Sequence, residues 1–208
     1  MKKKFLRPAL AIIVLVILGV LWFWGYRAVN ARYEPLIAPD KTVTYKIGET
    51  VPIGPEPENL LKPEGLGGFC YRINSWQIVD TDTYLQEQRL EDPWQEEGIK
   101  PEKLMLVSVT VVNDNNGLMD FPLTSLYLKG SQASSNIAVS LCNDLNADVY
   151  PYCNLSLPVG CEATITLPFA LQRMQFTYRH WKNLEEYPFY FGCHVVNEGW
   201  EKRIVPLN

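Results

Sequence analysis

Thiols and imidazoles are the side chains of widest chemical reach in this sequence, and their spacing restricts what they can do. The chain holds five cysteines, Cys70, Cys142, Cys153, Cys161 and Cys193, and two histidines, His180 and His194. Nucleophilic thiol catalysis needs a cysteine within hydrogen-bond reach of a base. Cys193 and His194 are adjacent, and neighbours on a strand point to opposite faces, so they do not form such a pair with each other. No two cysteines have C-x-x-C spacing and no H-E-x-x-H occurs, which removes the usual zinc and redox motifs. Ser131 lacks the glycine two positions before it that a nucleophile elbow requires. Gly65-Leu66-Gly67-Gly68 lacks the third glycine of a dinucleotide loop and reads as a flexible approach to a strand. The expectation is no catalytic residue, no cofactor and no resident metal.

Other polar and aromatic groups point toward binding. Cys142, Cys153 and Cys161 lie close in sequence around a polar loop, so a disulfide within that trio is the favoured bridge; the alternative is that the cysteines are small buried hydrophobes. Asp144, Asn146 and Asp148 alternate as in the first half of a calcium loop, but Val149 and Leu155 stand where the sharp-turn glycine and bidentate glutamate belong, so a polar surface loop is expected. Asp80 and Asp82 are weaker still as ligands. Acidic residues crowd positions 80 to 103 around Trp94, a ring able to anchor an interface. Eight aromatics lie between Phe176 and Trp200. Core packing is the first expectation for them, and Tyr178, Trp181 and Trp200 join Trp94 as partner-binding candidates. A glycan binder would require two coplanar exposed rings among Trp76, Trp94, Tyr150, Tyr152, Tyr178, Trp181 and Trp200.

The elements that must position these groups begin with an uncharged run. The 208 residues carry a net charge of -4, which is unsuited to nucleic-acid binding through bulk charge. That average conceals a split. Residues 1–7 hold Lys2, Lys3, Lys4 and Arg7 without an acid; taking those 4 from 19 basic residues leaves 15 against 23 acidic ones, a net of -8 for the remainder. Residues 8–26 are nineteen uncharged residues, roughly 28 Å as a helix and close to a bilayer core. Their ten aliphatic side chains supply about -4 kcal/mol of insertion free energy. Trp22, Phe23, Trp24 and Tyr26 suit the far interface, and the basic head predicts a cytoplasmic N-terminus with the C-terminal domain outside. Cleavage after Ala31, as in a signal peptide, is the competing expectation, though the run is longer than an ordinary signal core. Residues 27–41, with Pro35 and Pro39, read as a spacer.

Residues 42–208 alternate with period two. Met105, Val107, Val109 and Val111 share a face and end at Asp114-Asn115-Asn116-Gly117, where Asn-Gly predicts a tight turn with positive φ. Ala163, Ile165, Leu167 and Phe169 oppose Glu162, Thr164, Thr166 and Pro168, a strand with one wet face. Further strands are expected at 43–47, 69–79, 121–128, 137–142, 189–196 and 202–205. Residues 84–103 read as a solvated excursion, and 172–187 as the place for one short helix. Mainly β structure follows, an antiparallel two-sheet sandwich of about eight strands.

The order YKIGETVPIG, FCYRINSWQIVD, KLMLVSVTVVNDNNG, FPLTSLYLKG and LPVGCEATITLPF resembles the telokin-like, immunoglobulin-like domains of unknown function found on membrane-anchored and secreted proteins of Gram-positive bacteria. The similarity covers roughly residues 42 to 170, with Pro158-Val159-Gly160-Cys161-Glu162 standing where that family has Pro-Gly-Glu. The resemblance implies an immunoglobulin-like sandwich used for display, binding or assembly, with no shared active site. Sortases share the outline of an N-terminal anchor and a β-rich body. Here, however, both histidines follow Cys142 and Cys161, and the Thr-Leu-x-Thr-Cys strand is absent. An anchored thiol enzyme is therefore the remote alternative. The leading expectation is a non-enzymatic, membrane-anchored cell-surface module that binds or assembles with a protein; the second is an accessory protein that holds cell-wall glycan on exposed aromatics.

Overall fold

The computed structural model describes residues 16–27, 41–53, 66–95, 99–131, 133–146, 149–150, 153–193 and 201–208, in two compact units, Met1–Pro39 and Asp40–Asn208. In the first unit residues 16–27 are helical (α1), and Val16, Leu21, Trp22 and Trp24 are exposed. Trp22 stacks on Tyr26 with centroids 5.6 Å apart, as i and i+4 positions of a helix allow. Among the described residues no helix is long and apolar enough to cross a membrane. The basic head 1–7, the first part of the expected span at 8–15 and nearly all of the spacer lie outside the described residues.

The second unit is mainly β, with twelve strands in three sheets among the described residues. The two longest pairings, of eleven residues each, set β3 (Phe69–Asp80) and β10 (Cys161–Leu171) antiparallel on either side of β4 (Lys103–Asn113). With β2 (Thr50–Ile53) they form a four-stranded sheet, order β10-β4-β3-β2. A five-stranded sheet runs β1 (Lys41–Thr44), β12 (Glu201–Pro206), β11 (Tyr190–Cys193), β6 (Leu126–Lys129), β7 (Ser134–Ser135), with β1 and β12 parallel. A three-stranded sheet joins β5 (Asp120–Pro122), β9 (Asn154–Ser156) and β8 (Val149–Tyr150). The alternation read from sequence builds the core. Met105, Val107, Val109 and Val111 are fully buried on one face of β4. Tyr71 of β3 and Phe169 of β10 meet Phe191 of β11 at centroid distances of 5.6 and 5.8 Å, so apolar faces of two sheets share this core.

Four expectations change. The outer face of the β3-β4-β10 sheet is wet along only part of its length: there the Asn74 amide donates to Thr110 Oγ1 (2.9 Å), and Thr110 meets Thr164 (2.8 Å). Toward the other end Leu104 and Leu106 are buried by Leu85 of helix α2 (Thr81–Gln88) and Leu141 of helix α3 (Val139–Leu145). Helix α2 therefore replaces part of the solvated excursion, and its N-cap is Asp80, whose Oδ1 accepts from the Thr83 N–H at 3.1 Å. The strand expected at 137–142 is mostly α3; only Ile137 bridges to Phe169. The strand expected at 121–128 divides at Pro122 into β5 and β6, in different sheets. The helix expected within 172–187 is α4 (Tyr178–Lys182), flanked by two short 3-10 turns.

Candidate functional site

Local sequence assembles a groove of about 420 Å³ where β7, α3 and the end of β10 meet, with Trp94 on its rim. The segment from β7 to α3 is stitched to β10 by backbone groups: Ser135 Oγ donates to the Ala170 carbonyl (2.5 Å), and the Ala138 N–H donates to the Pro168 carbonyl (2.8 Å). Pro168 fits here because it offers a carbonyl on the edge of the sheet while lacking an N–H. Past β10, Gln172 and Gln175 form a capping box, each side chain accepting from the other's backbone, and Gln175 Nε2 donates to the Ser134 carbonyl at 3.2 Å.

The loop before the groove fixes Trp94. Its N–H donates to Asp92 Oδ1 (2.9 Å), and Lys100 Nζ bridges Asp92 Oδ2 (2.7 Å) and Asp82. The hydrogen bond from Lys100 leads the causes that hold the Asp92 carboxyl below its ordinary pKa, and the bonds to Asp82 and Asp92 raise that of Lys100. Asp82 is thus tied to Lys100 and Asp80 caps α2, which accounts for both as structural groups. The indole of Trp94 packs against the Leu85, Leu104, Leu106 and Leu141 cluster. Among the described residues no charged one lines the groove; its polar groups are the amides of Asn136, Gln172 and Gln175 and three serine hydroxyls. Such a lining can hold a small uncharged polar molecule by stacking and hydrogen bonds, without ionic attraction.

The other predicted binding rings do not join it. Tyr178 is 63% exposed, with Lys182 Nζ 4.6 Å above its ring. Trp181 is half-buried against Phe176, centroids 5.8 Å apart, beneath Lys103. Trp76 is half-buried against the core. Trp200 and Tyr152 lie outside the described residues, as does the side chain of Tyr150, so among those described the pair of coplanar exposed rings is not assembled. Phe176, Tyr187 and Phe189 instead interlock at 4.7 to 6.0 Å in the core. His180 packs edge-on to Tyr187 at 5.0 Å, with its Nδ1 buried and unpartnered, and His194 lies outside the described residues.

All five cysteines are free thiols, the trio Cys142, Cys153 and Cys161 among them. The structure divides it. Cys142 on α3 and Cys153 before β9 are fully buried, and Cys153 Sγ donates to the Val139 carbonyl on the first turn of α3 at 3.6 Å. Cys161 is exposed at the start of β10. The residue after α3, Asn146, bonds to Thr166 on β10, five residues from Cys161, or roughly 17 Å along a strand. Cys161 is therefore out of reach of α3. The Cys142 thiol is raised by its bond to Cys153 and by burial, whereas that of Cys153 is lowered by accepting the bond. Among the remainder, Cys70 donates to Asp114 Oδ2 at 3.1 Å; burial and that carboxylate push it up to about 12.

The groove amides were absent from the sequence reading. Their signal was Gln172 and Gln175 in capping-box spacing directly after a strand.

In comparison with known proteins, among solved structures the chain is matched to a functionally unknown protein from Listeria monocytogenes EGD-e, with 14% sequence identity and a TM-score of 0.39, covering 76% of this chain and 79% of that one. No curated protein matches. Residues 42–195, most of the chain, match DUF5028, a domain of unknown function, and the chain belongs to that family.

Proposed function

We propose that the protein is a non-enzymatic binding or assembly module, an immunoglobulin-like, telokin-like β-sandwich carried outside a Gram-positive cell on a single-pass N-terminal anchor. The groove beside Trp94 is the observation that carries the binding reading: it is concave, backed by a packed sheet, and joins one aromatic face to several hydrogen-bonding groups. The sandwich reading is supported by the shared Tyr71, Phe169 and Phe191 contact. Support for the anchor is the uncharged run 8–26 behind four basic residues, together with the apolar exposure of α1.

Two measurements test these parts separately. Cys161 is an exposed native reporter. In intact cells a membrane-impermeant maleimide labels it if the domain is outside; protection in cells with labelling in lysate refutes export. For the groove, a photo-crosslinking residue replaces exposed Ser140 on the groove or exposed Val159 away from it. Binding through the groove gives a specific adduct from position 140, weakened by Trp94→Ala. Absence of an adduct there, or equal labelling from both positions, refutes it.

The uncharged lining favours one second reading, a neutral glycan held with Trp94 as its stacking face. Titration with N-acetylglucosamine oligosaccharides would then quench tryptophan fluorescence in the wild type and not in Trp94→Ala, with little dependence on salt. A response equal in both proteins excludes this reading.

A further inference from the structure

We propose that Cys142 and Cys153 form a built disulfide site, closed during folding, that ties the α3 wall of the groove to the segment between β8 and β9. Each backbone is fixed independently. On α3 the Cys142 N–H donates to the Ala138 carbonyl (2.9 Å), and its own carbonyl accepts from Asn146 Nδ2 (2.7 Å). The Cys153 carbonyl accepts from the Leu123 N–H (2.8 Å), and its Sγ lies 3.6 Å from the Val139 carbonyl, on the first turn of the helix that carries Cys142. Both sulfurs lie in the same core cluster, neither exposed.

The backbone at Cys153 adds an independent reason. Its φ is 55°, in the left-handed region, which glycine or asparagine would occupy with less strain. Conformation therefore gives no reason for cysteine there, whereas a sulfur seated on the helix that carries Cys142 does. Two buried thiols on hydrogen-bonded segments, one of them seated on the first turn of the other's helix, need little movement to join.

The exchange requires an external disulfide, and oxidised glutathione or an exported protein disulfide supplies one. The Cys153 sulfur attacks that disulfide as its thiolate, giving a mixed disulfide and one released thiol. Cys142 then attacks the Cys153 sulfur. The mixed S–S bond breaks, the protein S–S bond forms, and the second thiol leaves. The two protein thiol protons end on the two released thiols, and the external disulfide is reduced by two electrons. Because both sulfurs are shut from solvent in the folded chain, the reaction precedes closure of α3, and the finished bond is shielded from reductants. An oxidising exterior is where such a bond persists, so the inference draws its setting from the proposed export, although its chemistry stands alone.

The full chain in detergent micelles is unfolded with reductant, then refolded in reduced and oxidised glutathione, alkylated and digested. The expected product links the Cys142 and Cys153 peptides and leaves Cys70, Cys161 and Cys193 alkylated. The bond resists dithiothreitol until denaturant is added, and Tm exceeds that of the reduced protein by about 5–10 °C, as a short closed loop predicts. Cys161→Ser retains the bridge and the Tm difference; Cys153→Ser loses both. Protein exported by an oxidising host and alkylated at harvest gives the same linkage without refolding. Alkylation of all five cysteines, a bridge through Cys161, or an unchanged or lower Tm on bridging would overturn the inference. A correct bridge in a protein that gives no groove adduct would leave this inference standing and remove the binding reading; a groove adduct with all thiols free would do the reverse.

Discussion

Asn113 is fully buried, and its amide donates to the carbonyls of Asn116 (2.9 Å) and Leu157 (2.7 Å) while its oxygen accepts from the Asn116 N–H (2.7 Å). Asn116 in turn donates to the Gly67 carbonyl at 2.7 Å. The Asn-rich stretch after β4 is thus a knot joining three chain segments. The positive φ expected at Asn116-Gly117 occurs instead at Met119 (62°) and across the knot at Gly68 (90°). Sequence shows the residue types of a turn but not which distant carbonyls an amide will reach. Asn113→Ala leaves buried backbone groups unpaired and should cost about 3 kcal/mol, read as a Tm fall of about 6–12 °C. Gly68 and Gly48 test sterics against conformation. Both have left-handed φ, 90° and 88°, but a Cβ at Gly68 meets Asn115 Oδ1 and lies 2.9 Å from the Asn116 nitrogen, while Gly48 faces open space. Gly48→Ala should cost about 1 kcal/mol and Gly68→Ala at least twice that; equal losses would show that the contact is relieved at no cost. Titration gives a third expectation at this scale. Cys70, Cys193 and Tyr127 are each raised to about 12, chiefly by burial, from ordinary values of 9.0, 9.0 and 10.0. Groups raised on folding bind protons more tightly when folded, so their contribution is complete below pH 9 and is lost as pH rises toward 12. Thermal stability of the reduced protein should therefore fall above pH 9, and Cys70→Ala should flatten the start of that fall.

Strands β4 and β10 were legible because their pairing keeps one register along eleven residues, and β3 because its apolar alternation holds on either side of a single bulge between Ile73 and Ser75. Helix α3 was not. Asn136 to Cys142 carries β-branched residues and reads as strand, but its one β-bridge to β10 is at Ile137, and beyond that point tertiary contacts outweigh propensity. Asn146 is the contact that decides it. Its side chain donates to the Thr166 carbonyl (2.9 Å) and accepts from the Thr166 N–H (2.8 Å), taking the place of a neighbouring strand on the edge of β10, and it also bonds the Cys142 carbonyl. Read in sequence as the middle of a failed calcium loop, this amide docks the helix that walls the groove. Asn146→Ala removes the bonds to Thr166 and to the Cys142 carbonyl and should lower stability by about 2–3 kcal/mol. Hydrogen exchange at the Thr166 amide should accelerate more than at Val109 in the middle of β4; uniform acceleration would mean that Asn146 supports the fold globally and not this edge. The groove itself was half legible: Trp94 was chosen from sequence, whereas its facing amides came into view only once β7, α3 and β10 were brought together.

At the scale of the whole domain, the first and last strands close one sheet together. Strand β12 lies inside the five-stranded sheet, parallel to β1 and antiparallel to β11, so it separates two strands from opposite ends of the sequence. It is held beyond the ladder as well. Val205 and Leu207 are buried, the Leu207 N–H donates to the Phe189 carbonyl (3.0 Å), and Arg203 Nη1 donates to the Pro52 carbonyl of β2 in the other sheet (2.7 Å). Alternation marked residues 202–205 as a strand, but nothing in that short run shows that it is interior or parallel to β1; those follow from long-range pairing, whose closure cost only the whole fold repays. The family match ends at residue 195, before this strand begins. A fragment ending there would leave β1 without its partner, one edge of β11 unpaired and the Tyr71, Phe169 and Phe191 core open on one side. Unpaired edges beside exposed apolar surface favour association over folding. Expressed side by side, residues 40–208 should give a monomer with a cooperative thermal transition and 40–195 an aggregate or a non-cooperative melt. Adding a peptide of residues 196–208 should restore a cooperative transition if the missing strand is the cause. A cooperative, monomeric 40–195 fragment would mean that the four-stranded sheet and its helices fold without β12, and that the strand joins a domain already formed.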